Sequence, residues 1–319
     1  MKRLVGLLQR YAFANTSLSF WHTPIDQVRY DYVQLDDYYI DLSAKCSYTG
    51  PFDGRGVPLL DYKGSIGTRY NPCAVAQYAL GHFQTWQRKA SGANAVVFHD
   101  MVDWLVDAMV VEDGRGFWTY DFDLDAYGVT APWKSGLAQA QAISVLARSI
   151  RFPASERKRR DHEDALALAY AGLVEPVRTG GLLRTVGTDV WIEEVVADRL
   201  VAILDGSLFA LFGVLDYADL TGSTSAESLF TQGCETITGN LRRFDLGYWS
   251  RADLYQQEPP MPASAFYHNL HIHQLRALHE RTGNETFART ADRWDEYQRS
   301  WMNRKRALAN KVAFKLRYY

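Results

Sequence analysis

The sequence predicts a mainly α-helical protein, an (α/α) toroid or barrel of about four helical hairpins with a short β-containing segment in front. Three observations carry this prediction. Helical segments come in pairs that repeat at roughly 60 to 65 residues, the span of one recurring supersecondary unit. The first helix of each pair is rich in small and aromatic residues, and each pair leads to the next through a Gly- and aromatic-rich crossing. Hairpins linked in this way close into a ring with first helices inside and second helices outside, so that inner helix ends and crossings line a central cleft. An open helical solenoid needs the same pairs without closure and is the alternative architecture.

Residues 1–70 are irregular and rich in Tyr, Asp, Gly and Pro. The alternating pieces Val28–Val33 and Tyr38–Leu42 read as short strands, with turns at Gly50-Pro51 and Asp53-Gly54. Asn71-Pro72 opens the first inner helix, proline standing where a first turn tolerates it and Ala76, Ala79, Leu80 and Phe83 following at helical spacing. First helices are expected at about 71–89, 133–150, 200–220 and 264–281, and second helices at about 93–110, 161–173, 225–241 and 285–301. Gly222 and Gly283 stand where left-handed C-caps are wanted, and Thr224 with Glu227 has the spacing of a capping box. The crossings are Gly114–Asp121, Gly180–Leu183 and Phe244–Ser250. The toroid is thus expected over 71–302, with 303–319 as a basic, aromatic tail forming one more helix or a packed arm.

A chain of 319 residues that is 47% hydrophobic and 23% charged is an ordinary globular protein with enough residues for a large core. Its aromatic fraction of 13% suits either a helical core or a groove for flat-faced ligands such as sugars. A formal net charge of −2 offers no global attraction to nucleic acid or membrane, so an anionic partner must be met locally, as at Arg157–Arg160, Arg242-Arg243 or Arg304–Arg306, each of which also reads as a solvated face. Cys46, Cys73 and Cys234 are odd in number and widely spaced, which argues against a disulfide framework or a thiolate zinc site. The start lacks a signal-peptide core and no stretch approaches the ~18 apolar residues of a membrane span, so a cytoplasmic location is expected. A homodimer is a candidate assembly.

The densest polar chemistry lies at Ala263–Leu275. On a helix, Ile272, Leu275 and Leu278 form an apolar stripe while Tyr267, His271 and Gln274 fall on another face, too aromatic and histidine-rich for a solvated one. That face reads either as a cavity wall or as Tyr and His satisfying one another in a core. A metal site at His268, His271 and His273 lacks a carboxylate in a supporting EXXH or HEXXH pattern, so neither metal nor cofactor is expected.

From Gly56 to Trp301 the chain resembles the C-terminal helical domain of the D-glucuronyl C5-epimerases, which invert C5 of glucuronate within a polysaccharide such as heparosan. The resemblance is carried by Gly56-Val57-Pro58-Leu59 with Asn71-Pro72 and Ala76-Gln77-Tyr78; by Trp133, Ser135 and Ala138–Ser144; by Trp191, Glu193-Glu194 and Leu204-Asp205-Gly206; and by Phe266-Tyr267-His268, His271 and Gln274-Leu275. The departures are Val195 and Ala252, where the family's pattern has tyrosines, and Asp205 in place of an asparagine.

The resemblance implies a uronate-containing polysaccharide or oligosaccharide as substrate and Glu194 with Tyr267 as the acid/base pair. Inverting C5 means removing a hydrogen α to a carboxylate and returning a proton to the opposite face, which takes two such groups from opposite sides. Burial of Glu194 and a cation beside Tyr267 are needed to bring both nearer neutrality; a structural carboxylate beside Glu193 is the plainer role for Glu194. Arg251, His268 and His271 are candidates for the substrate carboxylate, and Tyr248 and Trp249 for stacking. Gln77, Tyr78, Gln139, Gln141 and Asp205 are candidates for further substrate contacts. Three rivals stand beside the epimerase: a lyase, in which the O4 substituent leaves before reprotonation; a glycoside hydrolase pairing Glu194 with Glu193, Asp205, Asp245 or Asp253; and a glycan-binding protein that has lost activity with the two tyrosines.

Overall fold

Asn71, Ser135, Ser155, Ser223, Ser264 and Asn284 each accept a backbone N–H from the turn that follows, and a helix starts at every one of them. The structure, a computed structural model, describes residues 20–25, 35–62, 64–255 and 258–318. The helices form four hairpins: α1 (Pro72–Lys89) with α2 (Gly92–Asp107), α3 (Gly136–Arg151) with α4 (Glu156–Val174), α5 (Leu204–Thr221) with α6 (Thr224–Asn240), and α7 (Ala265–Thr282) with α8 (Glu285–Arg299). Within the inner layer α1 packs on α3, α3 on α5 and α5 on α7, and each second helix covers its own first helix from outside. The chain is therefore mainly α, a toroid of helical hairpins. The layers differ as burial demands: α3 is buried from Gly136 to Ile150, whereas α8 buries only the stripe Phe287, Thr290, Ala291 and Trp294.

Two-stranded antiparallel ribbons lead into the first hairpin, β1 (Leu59–Asp61) with β2 (Thr68–Tyr70), and build the first two crossings, β3 (Val110–Glu112) with β4 (Arg115–Phe117), β5 (Thr119–Tyr120) with β6 (Trp133–Lys134), and β7 (Leu183–Val186) with β8 (Asp189–Ile192). Gly222 and Gly283 end α5 and α7 with φ of 68° and 67°, the left-handed geometry expected of them.

Several expectations change. The proposed strand Val28–Val33 lies outside the described residues. Tyr38–Leu42 is not a strand: it threads irregularly into the core, with the Tyr39 hydroxyl donating to Asp216 on α5 and the Leu42 N–H to Gln84 on α1. The carbonyl of Asp37, just before it, accepts from Arg148 on α3 at 2.9 and 2.6 Å. Its alternation reflects burial between three inner helices, not strand pairing. The cap of α6 is Ser223, which takes the Ala226 N–H, so Thr224 and Glu227 form no capping box. The tail is a helix, α9 (Trp301–Tyr318), docked through Ala307, Lys311, Val312 and Phe314. Among the described residues no helix is long and apolar enough to cross a membrane.

Candidate active site

Beyond β8 the chain turns inward, held by the Gly136 N–H, which donates to the Glu193 carbonyl at 2.9 Å. Here two adjacent glutamates part. Glu193 is buried, pairs with Arg184 and accepts from the Val201 N–H at 3.0 Å; burial pushes its pKa up while those partners pull it back, which makes it a structural carboxylate. Glu194 instead faces the first turn of α5. A Cβ added at Gly206 would lie 2.8 Å from the Glu194 Cβ and collide with Oε2, so the carboxyl occupies space that only glycine leaves open. Oε2 is buried and, among the described residues, has no hydrogen-bond partner. Burial, followed by the charges of Asp205 and Asp253, pushes Glu194 well above the usual carboxylate range. α5 is also the one inner helix whose N-cap, Ile203, offers no side-chain cap.

Asp253 arrives from another crossing. Residues 201–204 run against 252–254, with the Leu204 N–H on the Ala252 carbonyl at 3.0 Å and the Leu254 N–H on the Val201 carbonyl at 2.9 Å. The Tyr127 hydroxyl donates to Asp253 at 3.1 Å and the Tyr255 N–H at 3.0 Å, while burial pushes the carboxyl upward. Arg251 donates to the Tyr255 carbonyl at 2.8 Å, and its Nε is buried without a partner among the described residues.

The polar face of α7 meets Asp205 at the start of α5. Gln274 donates to the Asp205 carbonyl at 2.9 Å, and His271 Nε2 lies 3.7 Å from Asp205 Oδ1. Tyr267 is one turn before His271 on the same face, half-buried, and borders both the main core and the small cluster of Tyr248, Trp249, Ala263 and Ala307. His268 is different: its Nε2–H donates to the Trp294 carbonyl at 3.0 Å and its Nδ1 accepts from the Ser250 N–H at 3.1 Å, so both ring nitrogens serve the fold. Burial pushes its pKa down to about 3. The Ser250 hydroxyl lies 2.8 Å from His268 Nδ1 and 2.9 Å from His271 Nδ1.

On α1 and α3, Gln77 and the Cys73 thiol both donate to Gln141 Oε1, at 3.2 and 3.0 Å. The Gln141 amide nitrogen is buried without a partner among the described residues, and Glu194 is among the charges that raise the buried Cys73 thiol. Gln77, Gln141, Glu194, Asp205, Arg251 and His271 are thus linked through hydrogen bonds or neighbouring charges, and Tyr267 lies one turn from His271. Four other candidates are committed elsewhere. Gln139 donates outward to the Gly116 and Ala169 carbonyls, and Tyr78 packs on Phe52 and His82. Tyr248 receives a hydrogen bond from Asn310 on α9, and Trp249 donates to the Ala263 carbonyl while stacking on His268 at 3.8 Å.

Among the described residues no group of three or more His, Cys, Asp or Glu is arranged to hold a metal ion. Lys311 was not anticipated: it donates to the Pro262 carbonyl at 2.8 Å, and burial pushes it down to about 7 against the pull of Asp253 and Asp205. Only the aromatic, basic character of the tail hinted that it docks at all.

The architecture and the site define a helical toroid whose inner helices bury a cluster of carboxylates, imidazoles and amides. Residues 112–296 match the family described as D-glucuronyl C5-epimerase C-terminus, and the chain belongs to that family. It is 26% identical over 230 residues to a D-glucuronyl C5-epimerase of Caenorhabditis elegans, a match covering 66% of this chain and 36% of the relative. It is also 26% identical over 183 residues to an uncharacterised protein of Methanocaldococcus jannaschii, covering 56% of this chain and 57% of that one. Its fold resembles a crystal structure of a sugar epimerase from a ruminal bacterium, with a TM-score of 0.56 over 94% of this chain and 86% of the other at 10% identity.

Proposed function

We propose that the protein is a uronate C5-epimerase acting on units within an acidic polysaccharide, glucuronate to iduronate on a heparosan-like chain. The observation that carries this reading is the state of Glu194: a buried carboxyl with an unpartnered oxygen, pushed well above its ordinary range by burial and by Asp205 and Asp253. A carboxylate made this basic is suited to taking a hydrogen α to a carboxylate, which a solvated glutamate near pKa ~4.3 does poorly. Tyr267, from a different hairpin, supplies the proton on the other face, and the reverse reaction exchanges the two roles. Arg251 and His271 carry unpartnered buried nitrogens that can donate to the substrate carboxylate as charge builds on it.

The test is incubation with heparosan and other glucuronate polymers in heavy water, following C5 by NMR and unsaturated ends by ultraviolet absorbance. Deuterium at C5 with inverted sugar is expected. Unsaturated product instead makes the enzyme a lyase, and shortened chains without deuterium make it a hydrolase. Glu194→Gln and Tyr267→Phe are each expected to abolish exchange with unchanged circular dichroism.

A further inference from the structure

Outside the cleft, a groove of about 230 Å³ runs between the end of α6 and the face of α8, lined by Thr238, Arg242, Thr286, Arg289, Thr290 and Arg293 among others, with no carboxylate in its wall. On α8 the spacing Thr286, Arg289, Thr290, Arg293 sets hydroxyls and guanidiniums along one face. Arg293 is neutralised by Asp245 at 2.8 Å. Arg289 donates only to the Thr286 hydroxyl at 3.3 Å, and among the described residues neither it nor Arg242 has an ion-pair partner. A groove walled by guanidiniums is a local reversal of sign on a chain whose net charge is −2. It is also joined to the cleft: Arg293 holds the start of the crossing Asp245–Ser250, whose far end holds His268 and His271.

We propose that this groove is a second anion subsite, holding a carboxylate or sulfate of an acidic glycan while another unit of the same chain occupies the cleft. Guanidinium forks match planar or tetrahedral oxyanions, and threonine hydroxyls match sugar hydroxyls beside them. No aromatic ring lines the groove, as a single-stranded nucleic acid would require for base stacking. The inference rests on the polymer reading of the cleft, and its effect is to keep a long chain attached between turnovers.

The experiment compares the whole protein with the double variant Arg242→Gln/Arg289→Gln, both side chains being exposed and neither belonging to the residues assigned to the acid/base site. Calorimetric binding of glucuronate oligosaccharides from tetramer to dodecamer is expected to show tighter binding of longer chains. That advantage should fall by roughly tenfold or more in the variant, with a shallower salt dependence and unchanged tetramer binding. The same length dependence in both proteins overturns the subsite. Inorganic sulfate, followed through the arginine Nε–H NMR signals, separates the two readings. Sulfate that moves the Arg242 and Arg289 signals while no uronate oligomer binds overturns the glycan occupant and the polymer substrate together. Sulfate that moves neither signal, while oligomers still bind, overturns the subsite alone.

Discussion

Gly206 and Glu194 share one volume: the hydrogen in place of a side chain at 206 is what lets the Glu194 carboxyl lie against the first turn of α5. Glycine in a helix is ordinarily a loss of up to ~1 kcal/mol relative to alanine, so here local stability yields to placement of an acid. Gly206→Ala is expected to lower the melting temperature, because the added methyl must displace the Glu194 Cβ in a packed interior, and, if Glu194 is the group that meets C5, to lower turnover about 100-fold. Thermal denaturation and the deuterium assay on the same preparation check it.

The charges of Asp205 and Asp253 both raise Glu194. If Glu194 must be ionised to take the C5 hydrogen, activity climbs as pH rises through its elevated pKa. Asp205→Asn and Asp253→Asn remove one negative neighbour each, lower that pKa and move the acid limb of the kcat/KM profile to lower pH. A limb that stays in place in both variants removes Glu194 as the group controlling it.

His268 makes the fold sensitive to acid. Its pKa is about 3 in the folded chain, against an ordinary value near 6.5 when unfolded. The unfolded chain therefore binds a proton first as pH falls, and stability is lost between those two values at up to about 1.4 kcal/mol per pH unit. Urea titrations at stepped pH are expected to show this loss, and His268→Gln should flatten the slope at some cost in stability at neutral pH.

Arg148 and Asp216 pair at 2.7 Å with both side chains wholly buried, and the guanidinium also holds the Asp37 carbonyl. Breaking such a pair leaves an uncompensated charge, so Asp216→Ala is expected to destabilise the protein by roughly 3–5 kcal/mol. Chemical denaturation measures it, and replacing both residues by apolar ones should recover part of the loss.

The helical hairpins were legible because their signals are local: Pro72 in a first turn, Gly222 and Gly283 at helix ends, and apolar residues at helical spacing. The cap of α6 shifted by one residue because Ser223 and Thr224 are both competent and only the entry angle of the chain chooses. Side-chain direction was harder to read. Gln139 and Gln141 are two residues apart on α3, yet one ties the inner helix to Gly116 and Ala169 while the other meets Cys73 and Gln77. Spacing says that they diverge, but which of them faces inward depends on how α3 is rotated against α1 and α5. The role of Asp253 in raising Glu194 depends on pairing between residues 201–204 and 252–254, a long-range contact for which neither stretch carries a pattern.

The hydroxyl of Ser250 has one hydrogen and two imidazoles to serve. His268 must keep its proton on Nε2, because the Trp294 carbonyl can only accept. Turned toward His271, the hydroxyl obliges that ring to carry its proton on Nε2, toward Asp205. Turned toward His268, it accepts a hydrogen bond from the His271 Nδ1–H, and Nε2 of that ring is left as a lone pair. Rotation about a single C–O bond therefore decides whether the buried His271 Nε2 holds a proton to give or a lone pair to take one.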